Sequence, residues 1–277
     1  MKLFLRLLKE SFVFSFNALI ANPVRTVLSL LGVTIGIFTI IAVLSTVDSL
    51  EKSIKDNLSF LGTDNLRVEK WPWDFNNPSY EWWKFFRRPE PTYREYEFLK
   101  DNLVNAEAVE ILTSREGVNV KYSNNSSRID NLNGVVFENK FFGDWEFVAG
   151  RFFTQNETLT GSNAAIIGYK IMDDLFKSPD FAIGKQIKIK GKSYTIIGVT
   201  KEQGESFGAG DSFDRQMFIP FNSFKKIFRV GRKGSNAVLR VKGNGDEDPG
   251  LVNLEYELRG LIRAKRGIKP IEDDSFA

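Results

Sequence analysis

An uncharged, mostly apolar run stands near the start of the sequence. Residues 27–47 are 21 consecutive positions without a charged side chain, and Asp48 ends the run. A helix that spans a bilayer needs about 20 apolar residues, whereas the apolar part of a secretion signal has roughly 7 to 15. The run lacks a small-residue cleavage pattern, and 26 residues precede it. The pattern therefore predicts a permanent membrane anchor, in preference to a cleaved signal or the buried helix of a soluble protein.

The segment before this run has its own polar and apolar pattern. In residues 1–22, charged side chains recur at intervals of three and four, with leucine and phenylalanine between them. This spacing is typical of an interfacial helix that lies in the headgroup layer, although a frayed cytoplasmic tail is the alternative. Asn22 and Pro23 end this helix and cap the next one, which we predict over 23–61 as the membrane span and a projecting rod.

Charge gives the predicted orientation. Residues 1–26 contain one acid, Glu10, and four basic residues, so they hold the whole net charge of +3. Positive residues stay on the cytoplasmic side of a membrane. We expect a cytoplasmic N-terminus, a single span, and an exterior part whose neutral balance argues against nucleic-acid binding. The cytoplasmic anchors are Lys2, Arg6, Lys9 and Arg25.

Two glycines mark a candidate packing face on the span. Gly32 and Gly36 are one helical turn apart, and small residues at this spacing allow a second helix to approach closely in lipid. The alternative is that both glycines are simply tolerated in a membrane helix.

The exterior part alternates between mixed and β-rich patterns. Thr92 and Glu95 form a capping-box motif that predicts a helix. Two hairpins are predicted, around Asn124–Asn125 and around Gly191–Lys192. The remaining predicted elements are a strand at 65–71, a helix at 169–176, a short helix capped by Asn222, a strand at 236–241, a helix at 251–267 and a closing strand at 268–276.

This order predicts an α+β fold with one subdomain inserted in another. An α/β subdomain is expected from 62–114 joined with 219–277, and a mostly β subdomain from 115–218 lies between them. The chain has no cysteine and no histidine, which removes disulfides, Ser-His-Asp catalysis and the commonest zinc sites. A membrane-bound hydrolase that uses carboxylates alone stays open. Gln186 stands where a phosphate-binding loop ending at Ser193 requires glycine, so we expect no ATP site.

Aromatic residues are concentrated between positions 71 and 86. Exposed aromatic clusters mark interaction sites or membrane interfaces, although this segment can equally fold onto its own domain. The candidate contacts with a partner or substrate are Trp71, Trp73, Trp82, Trp83, Phe85 and Phe86.

Five blocks of the sequence, taken in order, resemble one known family. "NPVRTVLSLLGVTIGI" is similar to the opening of the MacB/FtsX-like ABC transporter permeases. The successive blocks of the MacB-type periplasmic core domain resemble "GVVFENKFFGDWEFVAGRFFT", "AAIIGYKIMDDLF", "IGKQIKIKGKSYTIIGV" and "RQMFIPFNSFKKIF". The resemblance implies an α/β porter-like subdomain with an inserted sabre-like β subdomain, the layout that the pattern of elements also predicts.

The resemblance also implies a function and partners. Family members are permease subunits of the bacterial inner membrane, with the main domain in the periplasm. They work as homo- or heterodimers with a cytoplasmic ABC ATPase, whose ATP-driven motion they transmit to the periplasmic side for export or extraction of a substrate. A periplasmic adaptor or carrier protein is a further partner in some members. No cofactor is expected in this chain, because ATP would be bound by the partner subunit.

One departure from the family keeps a second interpretation open. Family members have four membrane helices, and the sequence shows one, so we expect three more in a longer protein. The alternative is a single-span membrane-anchored periplasmic binding or adaptor protein without a transport role.

Overall fold

The structure is a computed structural model that describes residues 2–59, 64–72, 81–143, 145–204, 213–231, 235–245 and 247–277. Side chains at 2–6, 8, 12, 18, 19, 52–59 and 82 lie outside the described part of the chain. The chain divides into two compact units, residues 1–56 and 57–277.

Two long helices make up the first unit. Helix α1 is Lys2–Ala21 and helix α2 is Pro23–Ser59. Asn22 separates them, and its carbonyl accepts a 3.1 Å hydrogen bond from the Thr26 amide at the start of α2. The predicted break is therefore confirmed, because proline suits the first turn of a helix but cannot extend the preceding one.

The second unit mixes strands with short helices. Its strands are β1 (Asn65–Val68), β2 (Ala106–Tyr122), β3 (Asn125–Val135), β4 (Phe147–Gly150), β5 (Ala164–Ile167), β6 (Gln186–Ile189), β7 (Lys192–Thr200), β8 (Gln216–Pro220) and β9 (Ala237–Gly243). Its helices are α3 (Trp82–Phe85), α4 (Tyr93–Asn102), α5 (Gln155–Thr160), α6 (Tyr169–Leu175), α7 (Pro179–Ala182), α8 (Phe221–Phe224) and α9 (Val252–Arg266). Short 3-10 helices lie at Phe137–Phe141, Phe213–Arg215 and Pro249–Leu251.

Within the described ranges the strands form one sheet that closes on itself in part. The order is β1-β9-β2-β3-β8-β5-β7-β4, and β6 pairs with both β2 and β7. Strands β2, β3, β8, β5, β7 and β6 therefore make a closed circuit, while β9 and β1 extend the sheet from the first half of β2. The 17 residues of β2 allow this, because their two halves have different neighbours on the same edge.

The two larger of the three apolar clusters in the described residues divide along the same line. One buried cluster lies within the closed circuit and under α6 and α8, with Ile129, Ile187 and Tyr194 among its members. A second cluster lies between α4, α9 and the extension of the sheet, and includes Leu99 and Leu254. Its members come from 66–111 and 136–276, and those of the first cluster come from 118–230. The division into two subdomains stays a prediction, since one continuous sheet contains both clusters.

Several predicted elements are confirmed. Thr92 and Glu95 form a reciprocal capping box at the start of α4. The two hairpins exist, with their turns at 123–124 and 190–191, one residue earlier than predicted. The helices at 169–176 and 251–267 correspond to α6 and α9.

Other sequence predictions are wrong. No strand forms at 268–276. Arg263 instead donates hydrogen bonds to the Lys269 and Glu272 carbonyls, and Arg266 to that of Ser275, so side chains of α9 hold this segment as a loop.

Two further corrections concern the helices. Asn222 does not cap α8 but lies inside it, and its side-chain amide donates to the Leu159 carbonyl at 2.9 Å. Helices α5 and α7 also interrupt the β-rich block in addition to the one predicted helix, and α5 has its own capping box, formed by Thr154 and Glu157.

Candidate functional site

The apolar run lies within a continuous helix. Residues Pro23–Glu51 of α2 are long and apolar enough to cross a membrane, and none of this segment is buried inside the protein. The hydroxyls of Thr34, Thr39 and Thr46 each donate to the carbonyl four residues earlier, at 2.7 Å. These three hydroxyls are therefore satisfied within the helix, as polar groups in hydrocarbon must be.

Gly32 and Gly36 lie on this helix with open space around them. A Cβ added at either position has no heavy atom within 4 Å outside the helix's own backbone. The arrangement provides a flat strip on which another helix can lie, and the packing role stays a prediction.

The predicted cytoplasmic anchors lie on α1 and at the start of α2. The side chains of Lys9 and Arg25 are both exposed. Lys2 and Arg6 lie in α1, but their side chains are outside the described part of the chain.

The two ends of the aromatic segment meet at one cation. The Lys70 ammonium lies 5.4 Å from the centre of the Trp71 ring and 5.3 Å from that of Phe86. The Glu90 carboxylate lies 3.8 Å from the same ammonium. Burial raises the pKa of the Glu90 carboxyl, and Lys70 opposes this shift. Cation–π contact thus attaches part of the segment to its own domain.

The structure describes only some residues in the rest of the aromatic segment. Trp83 and Phe86 are 56% and 65% exposed, so they are available for contact. Phe85 is half-buried, with the Arg88 guanidinium 4.5 Å from its ring centre. Trp73 and the Trp82 side chain lie outside the described residues. The structure therefore brings Trp71 and Phe86 together and leaves the contact role untested.

A buried polar group that sequence reasoning missed ties β2, β9 and the 3-10 helix at Phe137–Phe141. Glu110 has no solvent exposure, lies directly opposite Arg240 and forms an ion pair with it. Asn139 donates a 2.7 Å hydrogen bond to the same carboxylate. Burial raises the pKa of the Glu110 carboxyl, while Arg240 and Asn139 oppose the rise. The alternation of polar and apolar positions predicts Glu110 on an exposed face, so no local signal reveals this group.

A second missed group joins α4 to α9. The Arg266 guanidinium donates a 2.6 Å hydrogen bond to Glu95, and both side chains are almost fully buried. Beside it, Tyr96 and Lys100 both donate to Glu138, at 2.8 and 2.5 Å. Burial and the hydrogen bond to Glu138 raise the pKa of Tyr96 far above its ordinary value.

Within the described residues, each fully buried carboxylate has a structural partner. Glu95 and Glu110 bind arginines, and Asp214 accepts hydrogen bonds from the Gln203 and Gly204 amides at 3.0 Å each. Among the residues that the structure describes, no group of three or more metal-binding side chains occurs. These carboxylates therefore fix the positions of chain segments.

Comparison with known proteins identifies relatives that match most of this chain. The curated relatives that match include the macrolide export ATP-binding/permease protein MacB of Wolinella succinogenes, which is 24% identical over 259 residues. That alignment covers 93% of this chain and 38% of the relative. The uncharacterized ABC transporter permease YknZ of Bacillus subtilis (strain 168) is 26% identical over 244 residues, with 86% and 57% covered. The chain thus spans less than two thirds of the length of these relatives.

Solved structures share the fold. The extracellular domain of the noncanonic ABC-type transporter YknZ from Gram-positive bacteria matches with a TM-score of 0.54 and 24% identity, over 74% of this chain and 96% of that one. The periplasmic region of MacB from Actinobacillus actinomycetemcomitans matches with a TM-score of 0.59 and 15% identity, over 78% and 88%. The family model of the MacB-like periplasmic core domain matches residues 26–249. The chain therefore belongs to the MacB-like periplasmic core domain family.

Proposed function

We propose that this chain is the N-terminal part of the permease subunit of a MacB/FtsX-type ABC transporter. One observation carries the proposal: an exposed apolar helix long enough to span a bilayer stands at the start of the region that matches the MacB-like periplasmic core domain. In this role the chain binds no ATP, and a separate cytoplasmic ATPase supplies the motion. The exterior domain lies in the periplasm and uses that motion to export or extract a substrate.

The length of α2 supports a mechanical role. Its 37 residues rise about 55 Å at 1.5 Å each, against a hydrocarbon core of about 30 Å. Pro23 at its first position is the only proline in the helix. A continuous helix of this length can carry a tilt or shift from the bilayer to the exterior unit, which a flexible linker cannot do.

The partners follow from the same assignment. Gly32 and Gly36 offer a packing face for a helix of a second permease subunit. Helix α1, with its basic residues, lies at the cytoplasmic surface of the inner membrane, where the ATPase acts. The exposed Trp83 and Phe86 contact a substrate, or a periplasmic adaptor or carrier.

Topology is the first test, and the chain suits it because it has no cysteine of its own. Ser11→Cys and Ser126→Cys place single thiols at exposed positions of α1 and of the hairpin between β2 and β3. In intact spheroplasts, a membrane-impermeant maleimide is expected to label position 126 and to label position 11 only after lysis. Labelling of position 11 before lysis would refute the orientation.

Assembly is the second test. Gly32→Cys and Gly36→Cys are expected to form disulfide-linked species with a permease helix in native membranes, whereas Thr34→Cys and Phe38→Cys, on the opposite face of α2, serve as matched controls. Tagged chain extracted in mild detergent is expected to bring down an ABC ATPase. Equal cross-linking of both faces, together with recovery of the chain free of any ATPase, would favour a single-span binding protein.

A further inference from the structure

Positive charge is segregated within the exterior unit. Three segments contain no aspartate or glutamate at all, namely 117–129, 181–201 and 215–245. Together they hold 15 lysines and arginines, although residues 27–277 sum to zero. The first two segments meet in space, because β6 pairs with both β2 and β7.

At this meeting point two lysines face each other. Lys121 on β2 lies directly opposite Lys188 on β6, and both side chains are exposed. Cβ atoms at such positions are about 5 Å apart, and like charges there destabilise a sheet. Ser193, on the other side of Lys188, offers no negative charge.

The positive surface continues through the neighbouring turn. The Lys190 ammonium lies 4.2 Å from the centre of the Phe228 ring, and the Arg115 guanidinium lies 5.6 Å from it. Lys192 donates a 3.4 Å hydrogen bond to the Lys226 carbonyl, and the Lys226 ammonium donates to the Gly161 carbonyl at 2.7 Å. We call Lys121, Lys188, Lys190, Lys192 and Lys226 the lysine track.

The five members of the track have no carboxylate partner within 4 Å among the described residues. Elsewhere in the unit, lysines such as Lys100 and Lys201 form ion pairs with glutamates at 2.5 and 2.8 Å. Retained like-charge repulsion without compensation is typical of a surface that binds an oppositely charged ligand.

The chemistry of the track narrows the ligand. Protein interfaces favour arginine and aromatic residues and are depleted in lysine. Insertion into a lipid surface needs a set of exposed large apolar side chains, and the described residues of the three acid-free segments contain one, Phe181, whose ring lies under the Lys185 ammonium at 4.3 Å. Stacking of nucleobases needs exposed aromatic rings, whereas Phe228 is buried. Closely spaced ammonium groups instead suit a flexible chain of repeated phosphates, which is bound through charge.

We propose that the lysine track binds a linear polyanion that carries repeated phosphate groups. The inference does not rest on the transport proposal, because it concerns a surface of the exterior unit alone. It assigns a ligand class to a face that is distinct from both the membrane helix and the aromatic segment.

The test uses the full chain in neutral-lipid nanodiscs, with long-chain inorganic polyphosphate as the probe. Fluorescence titration over a series of salt concentrations is expected to show saturable binding that weakens with salt. The variant Lys121→Gln/Lys188→Gln/Lys190→Gln/Lys192→Gln is expected to bind about a thousandfold more weakly, with a salt slope smaller by about 3. A control variant removes four lysines outside the track, Lys177, Lys201, Lys265 and Lys269, and is expected to lose less than about threefold.

A stability measurement separates a binding role from a structural one. Lys188→Gln relieves the repulsion with Lys121, so it is expected to raise the Tm by about 1 °C while it weakens binding. A lower Tm with unchanged binding would overturn the proposal. So would equal losses in the two quadruple variants, no saturable binding of polyphosphate, or binding only to vesicles of anionic phospholipid, which would indicate a lipid surface.

Discussion

Replacing Arg240 by methionine would leave the Glu110 carboxylate inside the protein without its cation. Glu110 has no exposure, whereas the Arg240 side chain is 18% exposed. Removal of one partner from a buried ion pair costs about 3–5 kcal/mol. We therefore expect Arg240→Met to lower the free energy of unfolding by about 4 kcal/mol, which corresponds to a Tm lower by roughly 8–16 °C for a unit of this size.

Removal of the other partner of the ion pair, Glu110, is expected to cost less. In Glu110→Leu the partly exposed guanidinium can regain water, so we expect about 2 kcal/mol. The double variant removes both charges, although Asn139 then loses the acceptor of its 2.7 Å hydrogen bond. We expect about 3 kcal/mol for the double variant and therefore a coupling energy of about 3 kcal/mol.

The cost of Arg240→Met depends on pH with a defined sign. Burial raises the pKa of Glu110, and Arg240 is the larger of the influences that oppose the rise. Without Arg240 the folded-state pKa increases further. A raised folded-state pKa contributes stability that is present below the unfolded pKa of about 4.3 and is lost as the pH rises through the folded value. The deficit of Arg240→Met is therefore expected to be small near pH 4 and full near pH 8.

Thermal unfolding of the chain in detergent, followed by tryptophan fluorescence at several pH values, measures all three variants. Additive costs with a coupling energy below about 0.5 kcal/mol would refute the reasoning. A deficit of Arg240→Met that does not change with pH would refute it as well, because the carboxylate would then not be the source of the cost.

Other predictions test local features. The hydrogen bonds from Arg151, with those of the capping box, lower the pKa of Glu157 to about 2. The ionised Glu157 therefore contributes stability that is present above its ordinary pKa of 4.5 and is lost as the pH falls toward 2. Glu157→Gln is expected to flatten that part of a stability–pH profile. Gly161→Ala is expected to cost more than about 2 kcal/mol, because the φ of Gly161 is +64° and the added Cβ would lie 2.8 Å from the Asn222 backbone. Gly184→Ala is the matched control, since Gly184 has a φ of +77° but open space around it, and is expected to cost about 1 kcal/mol. Equal melting temperatures of the two variants would contradict this prediction. The purified chain is expected to show no ATP hydrolysis in a phosphate-release assay.

Local signals in the sequence predicted local structure well. Asn22-Pro23 separated two helices, and Thr92 with Glu95 began another, because capping depends on residues within one turn. Thr154 and Glu157 have the same spacing and the same capping geometry, so the start of α5 is also encoded within one turn of the sequence. The closing strand does not form, because Arg263 and Arg266 of α9 bind backbone carbonyls of this segment. Ile271 is accordingly 98% exposed.

Long-range features had no such signal. Glu110 and Arg240 are 130 positions apart, and only the pairing of β2 with β9 brings them together. The pairing of β6 with two strands, and hence the lysine track, is likewise set by tertiary closure. The candidate membrane helix is predictable from the sequence alone, because its length and its lack of charge depend on no tertiary contact.

The pairing of β1 with β9 has a consequence for how the chain folds as it emerges during synthesis or export. Asn65 is opposite Lys242, a separation of 177 positions, whereas the closed circuit of strands needs nothing beyond Pro220. The circuit can therefore form before β9 has been synthesised. Until β9 pairs with them, β1 and the first half of β2 have unsatisfied backbone groups. Unpaired strand edges of this kind bind chaperones or aggregate. Strand β1 is thus the first strand of the sheet to be synthesised and the last to gain its partner.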